Sequence, residues 1–183
     1  MKFSRKHRAD SMEQTKWFER KFDFGFTQNI FPSIIGRLRE TPARLEEKVK
    51  TISDDLAVAK PNGSWSIKEN IGHLIDLEPL WVGRLEDILN RKTDLRTADL
   101  SNTKTTEANH NQRSLTDLLG EFRSIRNITI KKLDQLSEKQ IYWSALHPRL
   151  KTPMRTMDHF LFVAEHDDHH LVTIHNLIQN HNR

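Results

Sequence analysis

The apolar positions of this chain recur mainly at helical spacing. From Phe31, the residues Ile34, Ile35, Leu38, Leu45, Val49 and Ile52 share one face of an α-helix. Thr41-Pro42, in the middle of that run, has the form of an N-cap followed by a first helical residue, which predicts a break or restart at Thr41. Lys60-Pro61-Asn62-Gly63 reads as a turn, and Ser66-Ile67-Lys68-Glu69 has the Ser-x-x-Glu spacing of a capping box. A second helix is therefore expected over residues 66–91, with Ile67, Ile71, Leu74, Trp81, Leu85 and Ile88 as its buried stripe. Pro79 removes one backbone hydrogen bond inside it, so a kink is expected there. A third helix is predicted from Ser114 to Leu136, with Leu115, Leu118, Leu119, Phe122, Ile125, Ile128, Ile130 and Leu133 on a broad face, and a fourth from Thr156 to Gln179. Residues 92–113 are polar and form a long connection of the kind that shapes or covers a site. No strong strand or hairpin signal interrupts the pattern. Four helical segments with long crossovers predict an all-α chain folded as a four-helix bundle.

Residues 1–29 depart from this pattern. Trp17, Phe18, Phe22, Phe24 and Phe26 are interrupted by charges and Gly25, which suggests an irregular extension draped over a bundle domain of residues 30–183, with Met1 to Asp10 disordered. A chain of 183 residues has room for one such domain. It contains no cysteine, so disulfides, thiolate metal sites and a cysteine nucleophile are excluded, and any transition metal must be held by His, Asp or Glu. Neither a signal-peptide apolar core nor a run approaching about 18 apolar residues is present, so a cytoplasmic protein without a membrane span is expected. The 29 basic and 25 acidic residues leave a net charge of +4, spread along the chain rather than gathered. The isoelectric point near 9.4 is therefore no footprint of a nucleic-acid partner.

The candidate chemistry lies in histidines. The last helix contains Glu165-His166-Asp167-Asp168-His169-His170. Two residues four apart lie about 40° apart around a helix, so His166 and His170 can reach one ion; His166 and His169, three apart, are about 60° apart, and spacing alone does not choose between the pairs. The face through His166 and His170 also carries Phe162, Val163, Ile174 and Leu177, whereas that of His169 carries Asp158, Glu165 and Asn176, which points the first pair into the bundle and the second to solvent. Buried imidazoles need partners, and either a cation or hydrogen bonds within the core would supply them. A third ligand is expected from a facing helix: His73, at the edge of the second helix's stripe, with Glu69 and Asp76 near the same face as groups to orient an imidazole or act as a base. Three imidazoles leave an ion with open positions, as at a catalytic site, and suit zinc or nickel best. His110, His147, His159, His169 and His175 are read as structural or surface residues, with His147, beside Pro148, the first choice should one of them be functional.

The run Trp65-Ser66-Ile67-Lys68-Glu69-Asn70-Ile71-Gly72-His73-Leu74 together with Glu165-His166-Asp167-Asp168-His169-His170 resembles the DinB-like (YfiT-like) family of metal-dependent hydrolases and thiol transferases, over roughly residues 30–180. His147-Pro148-Arg149-Leu150 also looks like a recurring stretch of that family. The resemblance implies an up-down-down-up four-helix bundle, a divalent metal at His73, His166 and His170, and a homodimer. It further implies a small-molecule substrate, with the metal activating either a water or a low-molecular-weight thiol such as bacillithiol or mycothiol; the alternative is a non-catalytic, stress-associated metal-binding protein. Substrate choice does not carry over, because the first 30 residues and the loops at 92–113 and 140–155 depart from better-known members.

Overall fold

The computed structural model describes residues 14–181, so the expectation of disorder at Met1 to Asp10 lies outside the described residues. In chain order the helices are α1 (Phe31–Val49), α2 (Asp54–Val58), α3 (Ile67–Leu89), α4 (Thr103–Glu107), α5 (Leu115–Leu133), α6 (Glu138–Ile141) and α7 (Thr156–His181). Two short strands, β1 (Ser144–Leu146) and β2 (Pro153–Arg155), pair antiparallel just before α7. The absence of strands expected from sequence is thus corrected; three-residue strands are too short to display an alternating pattern.

The long helices form a ring in which α1 packs on α5 and α7, and α3 packs on α5 and α7. Their directions follow from residue pairs. Arg37 and Arg44 of α1 reach Glu165 and Asp168 of α7 in the same order, whereas Asn70 and Trp81 of α3 meet His170 and His159 of α7 in reverse. Arg123 of α5 and Asp134 just past its end meet Glu46 and Arg39 of α1 in reverse as well, so relative to α1, α3 and α5 run down and α7 runs up, and the passages from α1 to α3 and from α5 to α7 cross the diagonals of the bundle.

α3 starts where its capping box predicts: Ser66 Oγ accepts from the Glu69 amide, and the Glu69 carboxylate accepts from the Ser66 amide. α1 corrects the expected break at Thr41, because it continues through Pro42. Proline cannot donate to the carbonyl four residues back, that of Leu38. Arg126 Nη1 donates to that oxygen instead, at 3.3 Å, so the proline leaves no buried acceptor bare.

That guanidinium belongs to a polar layer between two apolar clusters. One cluster gathers Leu38, Trp81, Leu85, Ile130 and Phe160, and the other Leu45, Ile71, Leu74, Phe122 and Leu171. Between them Arg126 of α5 donates to Glu78 of α3 and Asp167 of α7, Thr129 donates to Glu78, and Thr41 of α1 donates to Asp167. All four long helices meet there, and Arg126, Glu78 and Asp167 are each at most 1 % exposed. Burial pushes the Glu78 carboxyl up, as expected where two acids share one cation.

Two expectations about faces also change. Ile128, placed on the core face of α5 by spacing, is exposed. Asp158, read as solvated, is buried in a bidentate pair with Arg155, which also donates to the carbonyls of Phe24 and Phe26 and so fastens the N-terminal segment. In that segment Trp17, Phe22 and Phe24 pack on the first cluster, and Arg20 bonds Glu165. Among the described residues no helix is long and apolar enough to cross a membrane.

Candidate metal centre

His73 on α3 and His166 and His170 on α7 converge, with one nitrogen of each within 4.8 Å of the others, and all three are buried. His166 Nε2 and His170 Nε2 lie 3.3 Å apart. Each of two rings has its proton position fixed from behind. The Asn70 amide nitrogen donates to the carbonyls of Trp65 and Ser66, which turns Asn70 Oδ1 toward His170 Nδ1 at 2.8 Å. His170 Nδ1 must then carry the hydrogen, and Nε2 keeps its lone pair. Thr105 Oγ1 donates to Asp76 Oδ2, so it accepts from His73 Nδ1 at 3.0 Å, and His73 Nε2 is likewise left free.

Asp76 therefore acts on His73 through Thr105 rather than by direct contact. Its Oδ2 also accepts from His110 Nε2 at 2.8 Å. Although burial works the other way, the hydrogen bonds from His110 and Thr105 hold the Asp76 carboxyl below its usual range. His110 packs over Gly72, where an added Cβ would fall 2.2 Å from the imidazole Cγ, so only glycine admits the ring that holds Asp76. Glu69 is not brought to the imidazoles: its oxygens bond the Ser66 amide and Lys60, so the cap explains it. His169, placed by sequence on a solvated face, instead lines the cavity at the centre and lies 5.6 Å, ring to ring, from Trp17.

The sequence reading missed Asn70, Thr105 and the role of His110. Asn70 had a signal, a polar residue beside the apolar stripe and one turn before His73; Thr105, in a polar loop, had none.

Burial pushes the His73 pKa down to about 4 and those of His166 and His170 well below their ordinary value, with neighbouring imidazoles adding to the effect in all three and Asp76 partly opposing it at His73. The three rings are neutral at pH 7, the form that ligates metals. His166 Nδ1 is buried with no partner among the described residues, so no hydrogen bond behind that ring fixes its proton, and three neutral imidazoles converging on one point are a donor set that fits a divalent ion. Outside the centre, His159, bonded to the Trp81 carbonyl, is pushed by burial to about 3. Since these folded values lie below the unfolded value near 6.5, the unfolded chain binds more protons as pH falls through that window. Metal-free protein is expected to lose stability from pH 6.5 toward pH 4, by about 1.4 kcal/mol per pH unit for each such histidine. Urea denaturation at pH 7.5, 6 and 5 checks this, and a flat profile would show that the rings are not held neutral.

The fold and the site define a class: a four-helix bundle with a centre of three converging imidazoles. The model of the DinB superfamily matches residues 37–174, and the chain belongs to that superfamily. A solved structure similar to this one is that of YfiT from Bacillus subtilis, described as a probable metal-dependent hydrolase with an unusual four-helix bundle topology. It aligns with a TM-score of 0.76 and 20 % identity over 90 % of this chain and 94 % of that one. No curated protein matches the chain.

Proposed function

We propose that this protein is a metal-dependent enzyme in which His73, His166 and His170 hold one divalent cation, zinc or nickel, through Nε2. The observation that carries the reading is the pair of oriented rings: Asn70 and Thr105 occupy the Nδ1 side of His170 and His73 and leave both Nε2 atoms to converge with His166. A bound cation there would supply Lewis acidity that lowers the pKa of a water or thiol.

The chain's own residues suit either nucleophile. The centre opens on a cavity of about 520 Å³ whose wall includes Trp17, Trp65, Trp81 and Phe162, large enough for a small organic molecule and apolar enough to limit water. His169 stands on that wall, and burial, then the nearby Arg20, lowers its pKa, so it is neutral and able to take a proton. Hydrolysis is favoured by the description of YfiT; transfer from a small thiol is favoured by a cavity far larger than a water needs. We further propose a small-molecule substrate, a homodimer and a cytoplasmic setting.

The deciding experiment loads the full chain with zinc or nickel and follows turnover of esters, amides and alkylating electrophiles with and without a low-molecular-weight thiol. Metal-dependent turnover that survives thiol omission identifies hydrolysis, and turnover that needs the thiol identifies transfer. Stoichiometric metal with no turnover on either panel would replace the enzyme by a non-catalytic metal-binding protein.

A further inference from the structure

Eleven residues beyond His73 on α3, and so within about 20° of the same stripe and roughly 16 Å along the axis, stands Arg84. It lines the cavity that holds the imidazoles and is 2 % exposed. A buried guanidinium is ordinarily paired with a carboxylate. Among the described residues Arg84 has none. Its Nε donates to the carbonyl of Arg96, and its Nη1 lies 3.1 Å from His147 Nε2. Asp87, one turn on, engages Arg96 and Lys92, and Asp99, at the cavity wall, engages the amides of Ser101 and Thr103.

The His147 contact cannot be an ordinary hydrogen bond. His147 Nδ1 accepts from the amides of Arg149 and Leu150, at 3.2 and 3.1 Å. The ring is neutral, because burial and the guanidiniums of Arg84 and Arg149 push its pKa down to about 4. With Nδ1 accepting, its one proton sits on Nε2. A ring N–H and a guanidinium N–H therefore face each other with no acceptor between them. Beside them Arg149 Nη2 is buried without a partner among the described residues. Arg149, too, lines the cavity and has no carboxylate among the described residues, its guanidinium lying over the Phe18 ring. Two cations and a ring N–H, all donors, share one wall.

We infer that Arg84, His147 and Arg149 form a recognition subsite for an oxyanion, the carboxylate or phosphate at one end of an elongated substrate. An oxygen placed there accepts from both Arg84 and His147, and a guanidinium fork matches either group. Leu77, Leu80, Trp81 and Phe162 line the cavity between this wall and the imidazoles, so the middle of the substrate is apolar or aromatic. The placement of the reacting end at His73, His166 and His170 rests on the proposed function; the anion subsite itself does not.

The test is calorimetric titration of the full chain, as purified and after metal removal, with 4-phenylbutyrate, its uncharged analogue 4-phenylbutan-1-ol and inorganic phosphate. The acid is expected to bind about tenfold or more tightly than the alcohol in both preparations. Arg149→Met and Arg84→Met should each erase that preference while leaving alcohol binding unchanged, and the more exposed Arg149 keeps the test open if Arg84→Met fails to fold. Competition by phosphate would assign the natural group to a phosphate, and its failure to a carboxylate. Equal binding of acid and alcohol, no saturation by any of the anions, or an acid preference unchanged in Arg149→Met would overturn the subsite. Because the metal-free arm reads the anion site alone, a protein that binds the acid but loads no metal would refute the proposed function and leave this inference standing.

Discussion

Arg126→Ala should cost about 3–5 kcal/mol of unfolding free energy, which for a domain of this size lowers the melting temperature by roughly 6–20 °C. The magnitude comes from what is left behind. Glu78 and Asp167 are at most 1 % exposed, and without the guanidinium both would face the core with no cation to offset their desolvation. The Leu38 carbonyl, which Pro42 cannot serve, would lose its donor as well. The loss should largely vanish when Glu78, Arg126 and Asp167 are replaced together by apolar residues of similar volume, since a buried ion cluster is seldom more stabilising than well-packed hydrocarbon. Denaturant melts of the single and triple variants decide the matter. A single variant within about 1 kcal/mol of the native chain would mean that water or proton uptake relieves the acids.

His166→Ala combined with His170→Ala should reduce bound zinc or nickel from about one equivalent to none, measured by plasma mass spectrometry on untagged protein. Asn70→Ala grades the same effect. It removes the amide whose oxygen holds the His170 proton on Nδ1 and leaves all three imidazoles in place, so metal affinity should fall by about 10- to 100-fold while stoichiometry at saturating metal is kept. Equal metal content in the native chain and the double histidine variant would place the ion elsewhere. No metal in either, even after reconstitution, would remove the basis for a metal-dependent reaction.

The long helices were legible because their apolar residues keep a regular period, and the three imidazoles because apolar neighbours mark the face shared by His166 and His170 while His73 edges a facing stripe. What escaped depended on contacts distant in sequence. Thr41-Pro42 looks like a helix start in isolation, and only Arg126, from another helix, makes an unbroken α1 tolerable. Asp158 looks like a surface acid until Arg155 is folded onto it. Glu69 and Asp76 are alike in sequence, each one turn from His73, yet the cap engages one and Thr105 links the other to the ring. Arg84 and Arg149 pass as two of many basic residues; nothing local reveals that no acid among the described residues meets them.

The diagonal connections bear on how the chain emerges during synthesis. α1 packs chiefly on α5 and α7, so when α3 leaves the ribosome the first two long helices have little of each other to bury, and both apolar stripes stay open until α5, which touches both, has been made. The centre comes later still: a nascent chain arrested before Thr156 carries one of the three imidazoles, His73. Any metal capture at His73, His166 and His170 would therefore belong to the chain that includes α7, and a product stalled before it would lack two of the proposed ligands and leave its core open.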